Sequence, residues 1–248
     1  MQRNPRPGRA AYRGIISPND TQMESGQNQA EQETSYNLGI SLVESVSKAG
    51  AGDIAADAAE IALDSILDEG LLEEVPVFGL LKKSYNIVGT VRDRIFLKKV
   101  ANFLAGTRNM SEEDRSEFSA RIKCESDYAK KVGESLVLLL ERQEDFEKAV
   151  ILGKVFSRYV CGHIEYEKFL KLAKSIELVF IGDLRNLAEY YARIHSYDPK
   201  QGKPFNEWLD DQTSQSLYSC GLIRSEGYTE NVYRPNDVGE EILRCMEE

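Results

Sequence analysis

From Ile54 to Tyr191 apolar residues return every third or fourth position, and this constrains the chain more than any other feature. That period belongs to helices with one buried face, so the expected fold class is mostly α, a multi-helix bundle. The stripes are specific. Ile54, Ala58, Ile61, Ala62 and Ile66 mark one helix, with Asp53 as its N-cap and Gly70 as its stop. Leu81, Tyr85, Val88, Val91, Ile95, Val100, Phe103 and Leu104 predict a single long helix from Val77 to about Ala105, with Pro76 in its first turn and bends at Gly79 and Gly89.

Ser111-Glu112-Glu113-Asp114 is a near capping box that opens a helix through Phe118 and Ile122. Tyr128, Val132, Leu136 and Leu139 mark the next, and Phe146 to Val160 another, closed by Gly162, the two forming a hairpin. Leu178-Val179-Phe180-Ile181 has the look of a buried strand. The stripe Phe169, Leu172, Ala173, Ile176, Phe180, Leu184, Leu187 and Tyr191 runs through it, so the expectation is one helix interrupted at Gly182.

Before Tyr36 the composition changes. Residues 1–35 are rich in Asn, Gln, Ser, Pro and Gly and poor in branched apolar residues, and are expected to be a disordered tail with a basic tip at Arg3, Arg6, Arg9 and Arg13. Leu38, Ile40, Leu42, Val43 and Val46 then give a short first helix, ended by Ala49-Gly50-Ala51-Gly52. The helical domain is expected over 36–197, and Asp198-Pro199 to Lys203-Pro204 is a linker.

Motifs with chemistry in them read more simply as structure. Gly50-Ala51-Gly52-Asp53-Ile54-Ala55 matches the dinucleotide-binding pattern, with Glu73 about 20 residues on, but no β-branched strand leads into it. Cys124, Cys161, Cys220 and Cys245 lack zinc spacing and are expected to be reduced thiols in a cytoplasm. His163 and His195 each sit near a helix end, in structural roles. No catalytic residue, cofactor or metal is expected, and no run of about 18 apolar residues predicts a spanning helix.

Charge is segregated. The chain carries 41 acids against 31 Lys and Arg, a net −10, yet residues 75–110 hold seven cations against one acid, a local +6. Lys82, Lys83, Arg92, Arg94, Lys98 and Lys99 are therefore the candidate contact surface of a basic amphipathic helix. Such a surface would meet an anionic membrane or an acidic partner, or be matched inside the bundle by acids such as Asp64, Asp68, Glu69, Glu73 and Glu74.

Beyond the linker, a helix (205–220), two short strands (Leu222–Arg224 and Val232–Arg234) and a last helix from Asp237 are expected. The order Gly221-Leu222-Ile223…Tyr233-Arg234-Pro235-Asn236-Asp237-Val238-Gly239…Ile242-Leu243 resembles the end of a winged-helix domain, which implies a small α+β unit over 198–248. Winged-helix relatives often bind DNA. Residues 205–248 hold three arginines against ten acids, a local −7 that would repel phosphate, so protein contact or dimerisation is expected there and duplex DNA is not.

A wider stretch, Asp68-Glu69-Gly70-Leu71-Leu72…Val75-Pro76-Val77-Phe78-Gly79…Arg92-Asp93-Arg94-Ile95-Phe96-Leu97-Lys98-Lys99…Phe103-Leu104 with Ser111-Glu112-Glu113 and the helix pair from Glu134 to Gly162, resembles a group of uncharacterised bacterial helical proteins over about residues 60–190. That group supplies no activity; as a kind of protein it fits an accessory role in stress response or phage defence. The functional expectation is a non-enzymatic bacterial cytoplasmic protein that acts through protein–protein contacts as an adaptor or accessory protein. One alternative is an effector peripheral to the inner membrane that uses the basic helix 75–110. The other is a winged-helix transcription regulator.

Overall fold

The helical period is realised in a computed structural model that describes residues 37–48, 50–60, 75–84, 90–196, 209–226 and 232–247. Among the described residues the chain is mostly helical, with eleven helices and one β-hairpin. In chain order these are α1 (37–47), α2 (Ala51–Glu60), α3 (Pro76–Ser84), α4 (Val91–Gly106), α5 (Glu112–Cys124), α6 (Ser126–Arg142), α7 (Phe146–Val160), α8 (Tyr166–Leu178), α9 (Ile181–Ser196), α10 (Asp211–Ser219), β1 (Ile223–Glu226), β2 (Val232–Pro235) and α11 (Asp237–Glu247). Residues 1–36, Gly70 and the expected linker lie outside the described residues.

Capping side chains decide several of the boundaries. The long helix expected over 77–105 is two helices, because Thr90 starts α4 afresh: Thr90 Oγ1 accepts from the Asp93 amide and Asp93 Oδ2 accepts from the Thr90 amide at 2.7 Å. Ser111 caps α5 as expected, its Oγ accepting from the Asp114 amide at 3.1 Å. Asp53 is not an N-cap. Gly50, at φ +75°, turns the chain between α1 and α2 and leaves Asp53 inside the first turn of α2. Gly50 thus belongs to a helix-to-helix turn and Gly52 to α2, with helix α1 rather than a strand leading in, which is not a nucleotide loop. Asp210 caps α10 through the Thr213 amide at 2.9 Å, so that helix starts at Asp211 rather than near Phe205.

The centre of the bundle is the crossing of α4 and α7. Glycines make it close: a Cβ on Gly106 would fall 2.2 Å from the Val150 carbonyl oxygen, and one on Gly153 would fall 2.0 Å from that of Phe103. Around this contact Phe103, Phe156 and Phe169 are fully buried, with Phe118 meeting Phe156 edge-on at 5.9 Å. A second glycine pair, Gly39 and Gly133, sets α1 on α6 in the same way. Helix α1 is tied further by Ser45, whose Oγ accepts from the Val77 amide at 3.0 Å.

Arg115 is buried, and its guanidinium closes the far end of the same layer. Nη1 donates to the Val46 carbonyl at 2.6 Å and Nη2 to the Thr107 carbonyl at 2.7 Å, so one cation caps the C-terminal ends of α1 and α4. Burial pushes its pKa down, while Glu112, Asp53 and Cys161 oppose that shift.

The C-terminal segment packs on α7, α8 and α9 and shares their core through Leu217, Leu222, Ile223, Ile242, Leu243 and Cys245. Strands β1 and β2 pair antiparallel, Ile223 opposite Pro235. The winged-helix resemblance is not supported: within 198–248 the described residues supply α10, a hairpin of two four-residue strands and α11, with no third strand. The residues that carried the resemblance have local jobs instead. Gly221, at φ +73°, ends α10 with its amide on the Tyr218 carbonyl and the Leu222 amide on the Leu217 carbonyl. Asn236 Oδ1 accepts from the Val238 and Gly239 amides to start α11, and Gly239 is needed because a Cβ there would lie 2.1 Å from the Leu222 carbonyl oxygen.

Candidate interaction surface

The run Leu178-Val179-Phe180-Ile181 cannot place all four side chains on one helical face, and the chain resolves this by breaking the helix there. Val179 is extended (φ −73°, ψ 141°) and fully buried, so α8 ends at Leu178 and α9 begins at Ile181, ahead of the break expected at Gly182. Leu178 and Phe180 are left outside, 53% and 67% exposed. Phe180 therefore does not join the core stripe that its spacing predicted. Gly182 is not a kink either. It sits within α9 under the Phe180 ring, where a Cβ would lie 2.7 Å from a ring carbon.

This corner is held firmly. The Val179 amide donates to the Ser175 carbonyl at 3.0 Å and the Leu184 amide to the Phe180 carbonyl at 3.1 Å. Buried Lys148 donates to the Glu177 carbonyl at 3.1 Å, neutralising the C-terminal end of α8. Beside the corner, α6 and α8 lie together. Tyr166 Oη donates to Ser135 Oγ at 3.0 Å, and Arg142 Nη1 stands 3.9 Å from Glu177 Oε2. Leu138 (51%) and Leu170 (37%) stand exposed between these two ties.

Of the six cations singled out from the sequence, Arg92, Arg94, Lys98 and Lys99 have described side chains, and of these four Arg92 alone is exposed. Lys82 and Lys83 lie on α3, with side chains outside the described residues. Arg92 is exposed near the start of α4, and Arg94 is half-buried. Lys98 and Lys99 turn to the α6–α7 junction: Lys98 Nζ stands 5.3 Å from the centre of the Phe146 ring, and Lys99 Nζ donates to the Glu141 carbonyl at 3.0 Å. Burial lowers the Lys99 pKa, Glu141 opposes that, and Arg92 adds to it. A ring and a helix end are thus among their partners. The acidic residues 64–74 expected as their partners lie outside the described residues.

Two further places have the ingredients of a site. Cys161, Asp114 and His163 come together where α7 ends. The thiol is pushed up to about 12, first by burial and then by its hydrogen bond to Asp114, the direction opposite to that of a nucleophilic thiolate. His163 occupies the turn after Gly162, its amide on the Arg158 carbonyl at 2.9 Å, in keeping with the expected helix-end role; the His195 side chain lies outside the described residues. An open cleft of about 510 Å³ lies between α1, α3, α5 and α6, floored by Ile40, Val43, Ile122 and Ala129 and rimmed by Glu44, Lys48 and Lys123. Among the described residues, no group of three His, Cys, Asp or Glu side chains could hold a metal ion, and no helix is long and apolar enough to cross a membrane.

Comparison with protein-family models, with curated proteins and with solved structures found no match. The α8–α9 corner was missed from the sequence because Phe180 fits the helical stripe. The available signal was the apolar run itself, too wide for a single buried face.

Proposed function

We propose that this chain is a non-enzymatic cytoplasmic adaptor that works by contact with another protein, and that the α6–α8 face and the α8–α9 corner make the contact. One observation carries the reading. Of the six large apolar side chains exposed among the described residues, four, Leu138, Leu170, Leu178 and Phe180, belong to this one region. Phe180 has the properties of an anchor residue, a large exposed ring standing over Gly182, whose bare backbone leaves room for it.

The membrane reading draws less support, since Lys98 and Lys99 are engaged within the bundle. The test is the size of the complex in the protein's own cells. Wild-type chain should migrate on a native gradient in a complex, and Phe180→Asp should return it to the position of the free chain with an unchanged circular dichroism spectrum. Wild type and variant migrating alike would remove the reading.

A further inference from the structure

We draw no further inference here: the strongest candidate, the exposed apolar face that Leu138, Leu170, Leu178 and Phe180 form on α6, α8 and the α8–α9 corner, belongs to the site already described, and nothing in the structure shows what covers it.

Discussion

Helix α7 meets α4 through bare backbone at Gly106 and Gly153, whereas it meets α11 through the long side chain of Arg158, whose Nε reaches Glu241 Oε1 at 2.5 Å. The first contact is buried and the second partly buried, and they fail differently. At the crossing the opposing atoms are carbonyl oxygens of rigid helices, so an added methyl has nowhere to go. At the seam two flexible side chains bring the elements together, Arg244 adds a second cation to Glu241 at 3.1 Å, and Lys168 reaches Asp237 at 2.7 Å near the start of α11. Shape governs the first contact, while at the second charge is added to the apolar packing of Ile242, Leu243 and Cys245.

The strongest way to break this contrast is Gly153→Ala, which should cost about 3 kcal/mol, because the backbone on both sides must shift. Urea denaturation would measure it, and a loss below about 1 kcal/mol would mean that the helices separate easily. Next comes Glu241→Gln. It keeps the shape and removes the charge that two arginines share, and it should cost about 2 kcal/mol. A double-mutant cycle with Arg158→Met should show that most of this loss is coupling between the pair.

A third test uses the end of α7. The Cys161 thiol is raised from an ordinary 9.0 to about 12, so the folded state favours the neutral form. Stability from this source is complete below pH 9 and is lost as pH rises toward 12. At neutral pH iodoacetamide should label exposed Cys124 and spare Cys161 until the protein unfolds, as mass spectrometry would show. The smallest effect belongs to Asp237. Its carboxyl is held below the ordinary 3.8, first by the hydrogen bond from Lys168, so its contribution is present above pH 4 and is lost as pH falls through the folded value. Amide protection in α11, taken relative to intrinsic exchange at each pH, should then fall between pH 5 and pH 3 more than protection at the α4–α7 crossing.

The helices of the central domain were legible wherever a local rule was sufficient. Ser111 announced α5, Gly162 closed α7, and Gly221-Leu222-Ile223 marked the turn from α10 into β1. Thr90 was equally local: T-x-x-D is a capping box, and the apolar stripe running past it concealed the start of α4. The corner at Val179 was harder to read, since its direction depends on what lies beneath it. The glycine pairs were out of reach, because Gly106 gains its meaning only from Gly153 on another helix. Basic residues misled in the same way: Lys99 reads as surface charge until the end of α6 arrives beside it.

Arg115 has one further consequence, for the order of assembly. Its bond to the Val46 carbonyl joins positions 69 residues apart, while its bond to Thr107 spans only eight. Closing the longer loop costs more chain entropy and is recovered only once α4, α5 and α7 already stand in place. The α1 side of the molecule is therefore the last to seat and the first to leave. In kinetic experiments Arg115→Met should speed unfolding and leave the folding rate nearly unchanged, and an equal slowing of folding would reverse that order.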